Sequence, residues 1–308
     1  MPRFWRKRVL LVKPEATYGT DSAPTGAANA ILARDMTFDV DATRLTRQLV
    51  KPTYGSMSEA IAKKHVKLDF EIELQGSGAA GTPPAFGPLL RACGFAETIT
   101  AGTSVAYTPV TDDPESATAY FYADGELIKV LGMRSQVTFA FPPNDVPRMK
   151  FSALGLYAPE EAAALPPTDF SAFQQPEAMS NAATPTAQLH GLNAVMRSLD
   201  IDMGIDLVHR DYVGAEDVNI TGRAVSGKIS IEAVASTVKD WHAAVNGQTL
   251  AALSLVHGTA AGRIVEVAAP KVQVFHPRNE EEDGIHYHGL DLNFTETSGD
   301  DEISIIIR

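Results

Sequence analysis

Two histidines near the C-terminal end of the chain flank a tyrosine in the string His286-Tyr287-His288. Alternate residues of a strand share a face, so both imidazoles would lie side by side, and imidazole nitrogen is a common zinc ligand. No third ligand has a spacing that would complete such a site. The simpler interpretation is a polar strand face beside an acidic hairpin loop. We predict no metal and no cofactor, and leave open whether these two histidines bind a metal.

Two pairs of aspartates have the spacing of a second kind of site. Asp39 with Asp41, and Asp200 with Asp202, place two carboxylates on one strand face, and paired carboxylates can carry out general acid–base catalysis. A strand with one solvated face has the same pattern. Because the pattern occurs twice, we interpret both pairs as repeated surface rather than as active sites.

Possible nucleophiles have no activating sequence around them. Ser152 and Ser254 lie in no Gly-x-Ser-x-Gly elbow, and Cys93 falls on the apolar side of a predicted helix. The glycines at 76, 78 and 81 match neither a P-loop nor a dinucleotide-binding fingerprint. The sequence therefore predicts that the chain is not an enzyme.

The elements that position these side chains are strands, and they recur. Residues 65–74 alternate apolar and polar side chains, as expected of a strand with one buried face. The same order returns in residues 228–234, where Lys228 follows Lys67 by 161 residues, and Leu199 follows Phe38 by the same spacing. Residues 150–156 resemble residues 286–292 at a spacing of 136. The spacing predicts two copies of one fold.

The predicted fold class is mainly β, with two tandem β-sandwich or barrel domains that each carry one short flanking α-helix. The first helix is predicted from Phe86, Leu89, Leu90 and Cys93, after a cap at Thr82 and before Gly94. The second is predicted from Val238, Trp241 and Val245, with a cap at Ser236 or Thr237 and an end at Gly247. The predicted divisions are an N-terminal arm plus first domain (1–157), a linker (158–194) partly docked through Phe170 and Phe173, and a second domain (195–308). The apolar residues 303–307 must pair with a strand of this chain or of a neighbour.

Each copy also contains a long polar loop of nearly equal length, at 42–64 and at 203–226. Loops this long are usually functional or bound to a partner. The basic residues of the first loop lack the interleaved aromatics of a nucleic-acid platform, so an acidic partner surface is the better interpretation. The charged residues predicted to contact other subunits are Arg44, Arg47, Lys51, Lys63, Lys64, His209, Arg210, Asp211, Glu216, Asp217 and Arg223.

Composition excludes several classes of function. The net charge of −12 argues against a protein that clamps nucleic acid. The single cysteine rules out an intrachain disulfide and fits a reducing compartment. The apolar residues 9–12 follow Arg3, Arg6, Lys7 and Arg8 but are too few for a signal peptide, and no run approaches a membrane span. We expect residues 9–12 to form a short arm or strand, with no membrane contact.

The chain resembles bacteriophage tail tube (major tail) proteins. The resemblance rests on the opening string Lys13-Pro14-Glu15-Ala16-Thr17-Tyr18-Gly19-Thr20, the strand–loop–strand unit, the small helix after it and the β-rich remainder. It implies a virion protein, made in the host cytoplasm, whose sheets join around a ring to line a lumen. Its loops and arms would bridge subunits and stacked rings. Other tail proteins at the tube ends, the tape measure protein and passing DNA are the implied partners.

Because the fold is predicted twice per chain, we expect three chains per ring with pseudo-six-fold symmetry. Acidic side chains facing the lumen would keep DNA from binding as it is ejected. The expected contributors are Asp39, Asp41, Glu71, Asp200, Asp202 and Glu232. Three alternatives stay open: a β-sandwich binding or adhesion module, a hydrolase centred on His286 and His288, and another tail component such as a baseplate or terminator protein.

Overall fold

A computed structural model describes residue 4 and residues 6–308, so Arg3 of the basic N-terminal segment lies outside the described residues. Twenty strands and three helices of four to six residues make up the described part of the chain. The prediction of a mainly β protein with short helices is therefore confirmed. No helix in the part described is both long and apolar enough to cross a membrane.

The described residues of the first half form ten strands and two helices, and the longest strands are β3, β4 and β8. In order they are β1 (Arg8–Pro14), α1 (Gly26–Asn29), β2 (Ala30–Ile31), β3 (Arg34–Leu45), β4 (Ala60–Glu73), α2 (Gly87–Ala92), β5 (Phe95–Thr100), β6 (Ser104–Pro109), β7 (Ala117–Ala123), β8 (Glu126–Phe141), β9 (Arg148–Tyr157) and β10 (Glu161–Ala162).

The second half contains ten strands and one helix. In order they are β11 (Thr186–Leu189), β12 (Leu192–Asn193), β13 (Met196–Asp202), β14 (Ile205–Tyr212), β15 (Ala215–Arg223), β16 (Ser226–Glu232), α3 (Trp241–Asn246), β17 (Leu250–His257), β18 (Val265–Glu282), β19 (Ile285–Phe294) and β20 (Ser304–Ile307).

The strands pair in the same antiparallel order in both halves. In the first half the order is β2-β1-β7-β8-β9-β4-β3. In the second it is β12-β11-β17-β18-β19-β16-β13. The register also agrees, because Asp39 lies opposite Lys67 and Asp200 lies opposite Lys228.

One detail of the predicted alignment is wrong by a residue. Leu154 lies opposite Lys67, and Asp291 lies opposite Lys228, so the last strands correspond at a spacing of 137 and not 136. A shift of one residue in a strand exchanges its two faces. The apolar–polar alternation of residues 285–294 is irregular around Gly289, which is why the sequence pattern alone misplaced the register.

The core lies between sheet layers, as in a β-sandwich. Phe38 of β3 stacks on Phe121 of β7 at a ring distance of 5.9 Å, and these strands are far apart in the pairing order. Phe70 and Phe151 stack at 5.2 Å on neighbouring strands. Apolar residues at alternate positions of β4, such as Leu68 and Phe70, are buried while Lys67 is exposed, which is the period that the sequence predicted.

Both predicted helices exist, but their starts were misplaced. Helix α2 begins at Gly87, and no side chain caps it, so Thr82 is not its cap. Gly94 follows its end at φ +72°, a conformation that favours glycine. Helix α3 begins at Trp241, where the Asp240 carboxylate accepts a hydrogen bond from Ala243 N. Ser236 and Thr237 are therefore not its cap, and Val238 is exposed.

The linker and the C-terminal strand are both docked within the chain. Phe173 packs against the main core and Phe170 against a smaller cluster around Leu11, which confirms the predicted docking. Strand β20 pairs with β18 on one side and with β6 of the first half on the other. Both strands that flank the apolar C-terminal residues therefore belong to the same chain, and Ile305 is fully buried.

Candidate assembly surfaces

The two halves join through two strand pairings, β20 with β6 and, edge to edge, β8 with β13. Phe141 of β8 lies opposite Leu199 of β13, and the register continues to Thr138 opposite Asp202. The pairing of β8 with β13 makes a continuous antiparallel sheet in the order β3-β4-β9-β8-β13-β16-β19-β18. Within the described residues, β3 pairs only with β4, and β18 from Val274 onward pairs only with β19. The sheet therefore ends in two open edges.

All six acidic residues predicted from the sequence lie on one face of this sheet. Residues directly opposite in antiparallel strands share a face, and the row Glu71–Lys150–Thr138–Asp202 crosses four strands. The pairs Asp39–Lys67, Asp41–His65 and Asp200–Lys228 extend it, and Glu232 follows Lys228 at an even spacing. The face is opposite to the buried residues Leu68 and Ile229.

Basic side chains partly balance the charge of this face. Lys67 Nζ lies 2.6 Å from Asp41 Oδ2, which lowers the pKa of Asp41 through the hydrogen bond. Arg34 Nε lies 3.7 Å from Glu71. Burial raises the pKa of Asp200, and the charge of Lys228 opposes that shift. The face is therefore a mixed, solvated surface and not a uniformly acidic one.

The segment 203–226, predicted as a loop, is a hairpin. Its strands β14 and β15 pair from Ile205–Arg223 to Tyr212–Ala215 and form a separate two-stranded sheet. The equivalent segment of the first half is also partly strand, because β3 and β4 stay paired as far as Leu45 and Ala60. The unpaired part is therefore 46–59. We call residues 42–64 the first arm and residues 203–225 the second arm; the two have the same length.

The second arm folds back onto the first half of its own chain. Val218 N donates a hydrogen bond to the Tyr18 hydroxyl at 2.6 Å. Arg134 Nη1 donates to Val218 O at 2.8 Å and lies over the Tyr18 ring. His209 is buried, and its ring lies 4.8 Å from that of His65. Burial lowers the pKa of His65, and the neighbouring His209 lowers it further.

Most of the charged residues predicted in the second arm find partners within the chain. His209 Nε2 lies 3.3 Å from Glu216 Oε1, and Arg210 Nε donates to Asp217 Oδ1 at 3.0 Å. Arg223 is mostly buried and donates to Glu302 and, at 2.7 Å, to Asp300. Asp211 is exposed.

The first arm is different, because its residues are largely exposed. Arg44 and Arg47 are exposed, and Lys51 Nζ donates to Ser56 O within the arm. Lys63 has φ +54°, and Lys64 lies over the Tyr157 ring at 5.5 Å. The sequence predicts a polar loop here, yet the first arm also exposes apolar side chains: Leu45, Leu49, Val50, Tyr54 and Ile61.

The residues considered for catalysis or metal binding form ordinary structural contacts, except that the buried Nδ1 of His288 has no hydrogen-bond partner among the described residues. The His286 and His288 rings lie 4.9 Å apart, and His286 Nε2 lies 3.0 Å from Asn279 Oδ1. No group of three or more potential ligands comes together within the described residues. Ser152 donates to Asp69 at 2.5 Å, and Ser254 pairs within β17 and β18. Burial raises the pKa of the Cys93 thiol strongly.

The opening string that carried the resemblance is tied into the fold of its own chain. Glu15 accepts hydrogen bonds from Gly19 N and Gly132 N, and Tyr18 contacts the second arm. Sequence reasoning missed Tyr18 and Arg134 as the residues that hold the second arm. Their partners lie on distant parts of the chain, so no local pattern indicates the contact.

A family profile of phage tail tube proteins matches residues 5–303. No curated protein sequence matched the chain. The β-sandwich, the open-edged sheet and the near-complete match define the class, and the chain belongs to the phage tail tube protein family. The family is structural, and its members are components of the virion tail that assemble into a tube.

Proposed function

We propose that three chains close into a ring with pseudo-six-fold symmetry, and that such rings stack to form the tail tube through which DNA is ejected. Each chain would contribute two copies of the fold joined by a linker. The second copy would begin at β11 and not at residue 195, because β11 and β12 pair with strands of the second half. Assembly would follow synthesis in the host cytoplasm.

The observation that carries this proposal is the pairing of β8 with β13 beside two open edges. Strand β13 occupies in the second half the position of β3 in the first, and β18 occupies that of β8. The open edge of β18 is therefore the counterpart of the edge that β13 covers within the chain. Strand β3 of a neighbouring chain fits that place, and repetition of one head-to-tail contact closes a ring.

The polar face of the continuous sheet would line the lumen. Its opposite face is buried in the core, so closure of the sheet leaves this face toward the axis. A mixed surface with Asp39, Asp202 and Glu232 exposed offers DNA few attractive contacts, because phosphate groups are repelled by carboxylates. The tape measure protein would occupy the same lumen. Other tail proteins would meet the tube at its ends.

Negative-stain electron microscopy of the purified full-length chain, with the mass from light scattering, tests the proposal. We expect rings or tubes with three chains in each layer. Layers of six chains would overturn the trimeric ring and leave the tube role. A monomer at every concentration, even with tail-tip proteins added, would overturn the tube and favour a binding module.

A further inference from the structure

The second arm shows how an arm of this fold is accommodated. It leaves the sheet after β13 and packs on the first half, whose strand β8 pairs with β13. Its contacts are polar as well as apolar, with Tyr18 and Arg134 bonded to Val218 and with His209 against His65. A strand that joins a neighbouring half thus brings its arm onto that same half.

The first arm has the same length and lies between the equivalent strands. Among the described residues, however, it does not pack on the other half of the chain as the second arm does. Val50 and Tyr54 are as exposed as in an extended chain, at 106% and 109%, and Ile61 is 61% exposed. Outside strand pairing, the described hydrogen bond in residues 46–59 is the one from Lys51 to Ser56. A run of exposed apolar side chains in a soluble protein marks an interaction surface.

We infer that the first arm docks on the second half of a neighbouring copy of this chain, in the position that the second arm takes on the first half of its own. The inference rests on the proposed ring and adds the partner surface. Subtracting the 161-residue spacing from His209 gives Gln48, and adding it to His65 gives Ser226. Gln48 of one chain therefore lies against Ser226 of the next.

The surface beside Ser226 suits the first arm in shape and charge. A groove of about 490 Å³ lies there, and Val225, Asn293 and Phe294 are among its lining residues. Three carboxylates line it against the single guanidinium of Arg223: Glu296, Asp300 and Glu302. The arm carries five basic residues and one acidic residue, Glu59. Opposite charges steer such surfaces together and disfavour wrong partners.

Cysteine cross-linking of the full-length chain tests this docking. A chain with Gln48→Cys is mixed with a chain with Ser226→Cys, assembled, and oxidised mildly. We expect a covalent dimer of the two chains on a denaturing gel, and bands at two and three times the chain mass when both substitutions are in one chain. The native Cys93 is buried and does not compete.

The matched control is His65→Cys with His209→Cys in one chain, which should cross-link within the chain and give no higher band. Rings or tubes that form without a Gln48–Ser226 cross-link would overturn the docking and leave the proposed ring standing. An absence of any assembled species would overturn both. Cross-linking that persists when the chain is diluted to the monomer would show a contact within one chain and also overturn the inference.

Discussion

The carboxylate of Glu15 accepts a hydrogen bond from the backbone N–H of Gly132 at 2.8 Å, which ties the loop after β1 to the irregular part of β8. The same carboxylate accepts three further bonds, from Gly19 N, Ser116 Oγ and Thr118 Oγ1. Four donors converge on one half-buried group. The loop therefore holds Tyr18 in the place where it receives the second arm.

Glu15→Gln should destabilise the chain. An amide has one acceptor oxygen. Whichever carboxylate oxygen its NH₂ group replaced, that group would face a backbone N–H, of Gly19 or of Gly132, which has no lone pair to accept a hydrogen bond. Hydrogen bonds to a charged group contribute about 1.5–3 kcal/mol, so we expect a loss of about 2 kcal/mol in the free energy of unfolding, measured by urea denaturation. Glu59→Gln in the exposed first arm is the control and should change it little. Equal effects of the two substitutions would contradict this account of Glu15.

Gly132→Ala should lower the free energy of unfolding by more than the positive φ of Gly132 alone explains. Gly132 has φ +56°, and a Cβ there would lie 2.6 Å from Tyr18 Cζ. Gly102 has a similar φ of +67° but nothing within 4 Å of its Cβ, so Gly102→Ala measures the backbone strain, about 1–2 kcal/mol. The additional loss at Gly132 reports the displacement of Tyr18. Proteolysis of the second arm should rise with Gly132→Ala, whereas Gly102→Ala should leave it unchanged.

Arg223→Met should be among the most damaging charge substitutions in this chain. The Arg223 and Glu302 side chains are 14% and 9% exposed, and removal of the guanidinium leaves the Glu302 carboxylate buried without its partner. Loss of one partner of a buried pair costs about 3–5 kcal/mol. Arg210→Met removes a comparable pair with Asp217 at the surface, where about 0–1 kcal/mol is expected. Thermal or urea unfolding of both variants compares the two costs directly.

Much of the fold could be predicted from local pattern. The alternation in residues 65–74 and its return at 228–234 follow from the period of a strand with one solvated face. The structure pairs both strands as that pattern requires. The helix starts were missed because polar residues near 82 and 236 satisfy the same capping rule as Asp240. Which of several candidates caps a helix depends on where packing begins.

The candidate surfaces were harder to predict, because they depend on contacts between distant residues. Nothing near Arg223 in the sequence distinguishes it from Arg210, yet one is buried against Glu302 and the other lies at the surface. The first arm was interpreted as polar because its lysines and arginines are conspicuous. Its exposed Leu49, Val50 and Tyr54 were visible in the sequence, but exposure is a property of the fold.

Acidification should destabilise the chain at a higher pH than that at which the carboxylates with lowered pKa values titrate. Burial lowers the pKa of His257, and its neutral ring is fully bonded, with Thr184 Oγ1 at 3.0 Å from Nδ1 and Glu177 O at 3.1 Å from Nε2. The folded state then binds fewer protons than the unfolded state. The stability it contributes is present above the ordinary histidine pKa near 6.5 and is lost as the pH falls from there toward the lowered folded pKa. Burial likewise lowers the pKa of His65 and His190.

Urea denaturation between pH 7.5 and 5.5 measures this loss, which for one histidine reaches about 1.4 kcal/mol per pH unit. The carboxylates whose pKa is lowered, such as Asp217 and Asp300, lose their contribution to stability only below about pH 4, which is outside this window. His257→Gln keeps a donor for Glu177 O and an acceptor for Thr184 but cannot titrate, so it should flatten the slope. His242→Gln, on the exposed side of α3, removes no buried imidazole and should leave the slope as it is. A slope that His257→Gln does not change would show that folding leaves the pKa of His257 unshifted, and would contradict this prediction.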